Sequence, residues 1–205
     1  MRRQFYGDRK DVFKWSLALR VARPNKRILY IAMLREDKPV NHGRDMRSVP
    51  GAESSVVRYF EGERRIPEPE RYDISRIKRL SPSIELVLDP YSYSGRLTYF
   101  HRALARLETR EPGEEFVILL DPDNGIAGKS PRSEHVCGKE LESTWSKMLP
   151  GDVLLVYQHQ FRDNQWVSKR RSVLADAVGL PLDRVQCERM PELTDVCFYV
   201  AFRHA

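Results

Sequence analysis

The run Glu115-Phe116-Val117-Ile118-Leu119-Leu120-Asp121-Pro122-Asp123-Asn124-Gly125 constrains this chain more than any other stretch. Five apolar residues in succession, 116 to 120, suit a strand covered on both faces. Pro122 and the Asn124-Gly125 pair stop it abruptly. In open α/β sheets, ligands sit just beyond the carboxyl ends of the strands. Asp121, Asp123 and Asn124 stand at that position, so they are the first candidate site residues.

The rest of the chain supplies a context for such a strand. Phe13, Leu17 and Val21 fall at helical spacing, and Asp8 or Asp11 can cap the helix they define. Lys26 to Leu34 reads as an interior strand. Residues 35 to 70 hold four prolines, weak periodicity and many arginines, among them Arg35, Arg44, Arg47, Arg58, Arg64 and Arg65, with Arg71 just beyond. They read as an irregular insert with a short element near Val56 to Phe60, and long loops of this kind are often functional. Beyond it the pattern predicts a short helix from Tyr72 to Leu80 and a strand from Ile84 to Leu88. It then predicts a helix from Gly95 to Leu107 with Leu97, Phe100, Leu104 and Leu107 on one face. After the central strand come a helix from Ser133 to Met148 capped by Ser133, a strand from Val153 to Tyr157, and a helix from Asn164 to Val178. An antiparallel hairpin at the sheet edge, Arg184 to Arg189 and Val196 to Arg203, closes the chain. The alternation implies one α/β domain over residues 1–205, a three-layer Rossmann-like sandwich with a mainly parallel sheet ending in that hairpin.

Composition narrows the class. No apolar run approaches the ~20 residues of a membrane helix. The basic start Met1-Arg2-Arg3-Gln4 lacks an apolar run behind it, so no signal peptide is expected. Three widely spaced cysteines, Cys137, Cys187 and Cys197, fit neither a zinc pattern nor a disulfide framework. The expectation is a cytoplasmic protein with reduced thiols and no membrane partner. A net charge of +6 permits contact with RNA or DNA.

Several motifs compete for the chemistry. A second Asp-Pro step, Asp89-Pro90-Tyr91, follows the strand ending at Leu88. If the two strands are neighbours, Asp89, Asp121 and Asp123 could converge on Mg²⁺ or Mn²⁺ for phosphodiester cleavage, with His135 and His159 as proton shuttles or further ligands. The ordinary alternative is that each aspartate ends its own strand and faces water. Gly125-Ile126-Ala127-Gly128-Lys129-Ser130 contains Gly-Lys-Ser, but Asp123 occupies the first glycine position of a phosphate-binding loop and Pro131 follows. This argues against nucleotide hydrolysis. The polar start Tyr6-Gly7-Asp8-Arg9-Lys10-Asp11, with Lys14, reads either as a site lining or as a capped, solvated helix terminus. Lys169-Arg170-Arg171 reads as a solvated helix face or a phosphate-backbone contact. No Gly-x-Ser-x-Gly nucleophile signature is present.

The strand followed by Asp121-Pro122-Asp123-Asn124, then helix, strand, helix and hairpin, resembles the class I S-adenosylmethionine-dependent methyltransferases of the adenine-N6 type over residues 115–205. In that family the loop reads Asp/Asn-Pro-Pro-Tyr/Phe. The segment Gly7-Asp8-Arg9-Lys10-Asp11-Val12-Phe13-Lys14-Trp15 is also similar to the start of the adenine-N6 methyltransferases of large-subunit ribosomal RNA. Asp123-Asn124 replaces the Pro-Tyr step, and Arg35-Glu36-Asp37-Lys38 replaces the glycine-rich loop. The resemblance implies S-adenosylmethionine as cofactor and a nucleic-acid partner. It implies Asp121 and Asn124 alone as contacts to a target amine; Asp123 and His159 are further catalytic candidates on the residues themselves. Asp89, Tyr91, Gly95, Asp8 and Lys14 are the cofactor-side candidates. Three functions remain open: a methyltransferase-like protein, active or degenerate; a metal-dependent nuclease; and a non-catalytic Rossmann-like interaction module.

Overall fold

The computed structural model describes residues 3, 6–35, 49–67, 70–87, 91, 94–128 and 130–204. Its strands are β1 (Arg27–Ala32), β2 (Ile84–Val87), β3 (Phe116–Asp121), β4 (Gly125–Ile126), β5 (His135–Val136), β6 (Val153–His159), β7 (Val185–Met190) and β8 (Leu193–Phe202). Six of them form one sheet in the order β2-β1-β3-β6-β8-β7, and β4 pairs with β5 separately. Strands β2, β1, β3 and β6 are parallel, and β8 runs antiparallel to both β6 and β7. This is the expected three-layer Rossmann-like sandwich. The closing hairpin stands at the sheet edge as expected, with β8 against β6 and β7 outermost.

Helices α1 (Arg9–Val21) and α2 (Ser54–Glu63) cover one face. Helices α3 (Arg96–Glu108), α4 (Gly138–Ser146) and α5 (Trp166–Val178) cover the other. The two-residue period of a strand divides β3 between two cores. Val117 and Leu119 pack with Phe13, Leu17 and Phe60, whereas Phe116, Ile118 and Leu120 pack with Phe100, Leu104 and Trp145. Each fully buried side chain of this size contributes about 1.5–3 kcal/mol relative to exposure. Helix α1 is enclosed by the sheet and α2, so Trp15 and Ser16 on its flanks are as buried as Leu17.

Several boundaries differ from the sequence expectation. The segment near Val56 to Phe60 is a helix, α2, tied to α1 by the Glu53 N–H donating to Ser16 Oγ at 3.0 Å. Residues 36–48 of the insert, with Arg44 and Arg47, lie outside the described residues. The expected helix from 72 to 80 is two short 3-10 turns, Glu70–Tyr72 and Ile74–Arg79. In α3, Leu97 is 78% exposed, and Tyr99 and Ala103 complete the buried face instead. Helix α4 starts at Gly138, not Ser133, because Glu140 accepts the Cys137 N–H at 2.8 Å and fixes the first turn there. Residues 135 and 136 are then free to form β5.

At the amino end of the sheet, Asp152 is 1% exposed and holds three elements. Its carboxylate accepts the Phe116 N–H at 2.8 Å, the Leu149 N–H at 2.8 Å and Arg110 Nη1 at 2.7 Å. Asp152→Ala strands the Arg110 charge and two backbone donors, so urea unfolding should show a loss of about 3–5 kcal/mol.

Candidate functional site

Strand β1 leads to β2 on one side, and β3 begins on the other. The topological switch point therefore lies between the carboxyl ends of β1 and β3, where such sheets bind ligands. Ala32 and Asp121 are register partners there. By the strand period, Asp121 faces α1, as Leu119 does.

A lysine on α1 meets it. Lys14 Nζ lies 2.7 Å from Asp121 Oδ2 and 2.5 Å from Asp11 Oδ1. The Tyr30 hydroxyl donates to the same Asp121 oxygen at 2.6 Å. Asp121 Oδ1 is left without a hydrogen bond among the described residues. Asp11 Oδ2 accepts the Gly7 N–H at 2.7 Å. Asp8 caps α1, accepting the N–H groups of Lys10 and Asp11 at 2.9 and 3.0 Å. Asp8, Asp11, Lys14 and Asp121 are all buried. The polar start of the chain is thus not a solvated helix terminus; α2 and the sheet close over it.

Two carboxylates, of Asp11 and Asp121, hold the Lys14 ammonium, and Asp8 and Arg9 are buried on the same turn of the chain. Burial would lower the Lys14 pKa, but Asp11 and Asp121 raise it above the usual lysine value. Burial, followed by the charge of Asp11, raises Asp8 to about 7, and burial raises Asp11 as well. Burial and the Asp121 charge push Tyr30 well above the usual phenol value, so it remains a donor. In a chain of net charge +6, the switch point is locally acidic. That suits a ligand with a positive centre and hydroxyl or amino donors, and it opposes phosphate.

Asp123 and Asn124 stand over the strand end. Asp123 Oδ2 lies 3.2 Å from Arg35 Nη1, and Arg35 is also 3.5 Å from Glu134. The Asn124 main chain is held on both sides. Its N–H donates to Glu134 O at 2.9 Å, and its carbonyl accepts the His159 N–H at 3.3 Å and Gln158 Nε2 at 3.1 Å. No hydrogen bond engages its side-chain amide among the described residues. Gln158 is 0% exposed and also accepts the Ile126 N–H at 2.8 Å. Its amide lies flat against Gly125, where φ is +99° and a Cβ would come within 2.5 Å of it. Only glycine combines that dihedral with that approach.

His159 belongs to a neighbouring group at the end of β6. Lys10 Nζ contacts His159 Nε2 at 3.1 Å and Asp195 Oδ2 at 2.6 Å. The His159 hydrogen bond and the Lys10 charge hold the Asp195 pKa well below the carboxylate range.

The remaining candidates are dispersed. Tyr91 and Gly95 lie toward α3, on the opposite face of the sheet. Tyr91 packs edge-on against Tyr99 at 5.2 Å, and Gly95 is the N-cap of α3. Asp89 lies outside the described residues. The strands leading to Asp89 and Asp121 are not neighbours, because β1 lies between β2 and β3. No group of three or more His, Cys, Asp or Glu residues able to hold a metal ion occurs among the described residues. His135 is buried and its ring stacks on Phe161 at 5.6 Å. A cleft of about 420 Å³ lined by Arg110, Glu111, Gly113, Glu115, Leu149 and Pro150 opens at the opposite, amino-terminal end of β3. Sequence reading did not single out Tyr30, Gln158 or Asp195 as site residues, whereas Asp11 lay within the polar start read as a site lining or a helix terminus. The two-residue period that aligns Tyr30 with Asp121 was the available signal for Tyr30.

No helix among the described residues is long and apolar enough to cross a membrane. No family model matches the chain, and comparison with curated proteins and with solved structures gave no match.

Two measurements check this geometry. Lys14→Met leaves Asp11 and Asp121 buried without a counter-charge and should cost about 3–5 kcal/mol in denaturant unfolding. Asp8, with a folded pKa raised from 3.8 to about 7, contributes stability below pH 3.8 that is lost as pH rises through 7. Asp8→Asn should flatten the fall in stability across that window, read from unfolding midpoints between pH 4 and 8.

Proposed function

We propose that this chain is a methyltransferase-like protein that acts on or binds nucleic acid, with S-adenosylmethionine as its cofactor. The observation that carries the reading is Asn124, whose main chain is clamped while its side-chain amide stands free beyond the central strand. The Asn124 amide oxygen and the Asp121 carboxylate, both at the carboxyl end of the central strand, are acceptors of the kind that an exocyclic base amine needs.

The acidic switch point supports the choice of cofactor. S-adenosylmethionine, when bound, supplies an electrophilic methyl group next to a positive sulfur. The Asp8 and Asp11 carboxyl groups suit the positive side of such a ligand, and Lys14 holds Asp121 in place for the amine. Tyr91 and Gly95 border the other side of the β1 carboxyl end, where the Tyr99 hydroxyl donates to Ala32 O at 2.8 Å. The overall charge of +6 and the exposed Lys169 beside the half-buried Arg170 and Arg171 support a polyanionic partner. A metal-dependent nuclease gains less support: Asp121 is committed to Lys14 and Asp123 to Arg35.

Calorimetric titration with S-adenosylhomocysteine, without metal, tests the reading. Micromolar affinity, roughly −8 kcal/mol, is expected. Asn124→Ala should retain that affinity and lose at least about 100-fold in transfer of a labelled methyl group to RNA or DNA. No heat at millimolar ligand would overturn the cofactor assignment.

A further inference from the structure

Two of the three cysteines meet on the hairpin. Cys187 lies on β7 and is register partner of Tyr199 on β8. Cys197 is two residues before Tyr199, so it points to the same face and is the diagonal neighbour of Cys187. Both pack into the core beneath α5. Cys197 is 0% exposed, whereas Cys187 is half-buried. Cys197 is the first cause of the lowered Cys187 thiol pKa, which agrees with their placement on one face of the hairpin. A disulfide needs Cα atoms about 4.4–6.8 Å apart, and diagonal neighbours lie at about 7–8 Å. The ladder supplies the slack. Its register shifts between Glu188 and Met190, immediately beyond Cys187, and β7 is an edge strand with one neighbour to hold it.

We propose that Cys187 and Cys197 form a peroxide-reactive pair that closes to a disulfide across the β7–β8 ladder. The half-buried thiol reacts first. Cys197 beside it lowers the Cys187 pKa, with Arg189 and Arg171 adding positive charge, and the thiolate is the nucleophile. It attacks one oxygen of hydrogen peroxide, the O–O bond breaks, and the leaving hydroxide takes a proton to become water. The sulfenic acid at Cys187 is then attacked by the Cys197 sulfur. The S–O bond breaks, the S–S bond forms, and the hydroxyl leaves as a second water with the Cys197 proton. Two thiols lose two electrons and the peroxide gains two. Cys137, at the start of α4, has its thiol pKa raised by burial and serves as an internal reference.

The test uses the reduced full chain, treated with hydrogen peroxide, alkylated with a maleimide under denaturing conditions and mapped by mass spectrometry. The expected product carries one label, on Cys137, and a peptide pair joined through Cys187 and Cys197. In Cys197→Ala, dimedone should trap a sulfenic acid at Cys187. In Cys187→Ser, Cys197 should remain labelled by the maleimide. Three labels after treatment of the wild-type chain, or a bridge to Cys137, would overturn the proposal. The wild-type map decides alone if a variant does not fold.

Discussion

The carboxyl end of this sheet depends on one buried ammonium. Lys14 joins the first helix to the central strand by holding Asp11 and Asp121 at once, and Tyr30 of the adjacent strand shares the same oxygen. Taking these charges out of water is expensive, and the pairing only offsets that cost while every partner is present. The cluster is therefore a point where helix position, strand register and site charge are one quantity. A displacement of α1 along its axis would uncover Asp121 and shift the charge at the switch point together.

A second constraint acts on the loop beyond β3. Gly125 takes a left-handed backbone and lets the Gln158 amide lie against it. Gln158 in turn bonds three main-chain groups, of Asn124, Ile126 and His159. The loop is thus fastened to β6 by a side chain that has no exposed surface. Such fastening is what a site on a loop requires, since rigid placement within a fraction of an ångström separates a binding group from a merely nearby one. The Lys10–His159–Asp195 group completes the rim by linking α1, β6 and β8.

The strands were legible because they are nearly continuous apolar runs, as interior parallel strands must be. Helix α1 was legible for its apolar spacing and its Asp8 cap. Its burial was not, because enclosure by α2 depends on the insert, where local pattern is weak and long-range contact decides. The α4 start was misread at Ser133 because a cap is defined by its partner three residues on: Glu140 selects Cys137. At the site, Asp121, Asp123 and Asn124 were found from their place after a strand. Their roles were not, since Lys14 and Tyr30 reach Asp121 across 107 and 91 residues of chain. The pairing of Asp89 with Asp121 was expected from equal motifs after two strands, but strand order, which short motifs do not encode, puts β1 between them.

The place of β8 inside β7 sets an order of assembly. β7 precedes β8 in the chain, yet β8 lies between it and β6. Until β8 exists, β7 has no backbone partner in the sheet and β6 presents its open hydrogen-bonding edge. A chain leaving the ribosome must hold that edge unpaired until β8 emerges, and an open apolar edge is a template for wrong partners. The parallel core from β2 to β6 can form early, but the sheet closes only when β8 slides into the gap.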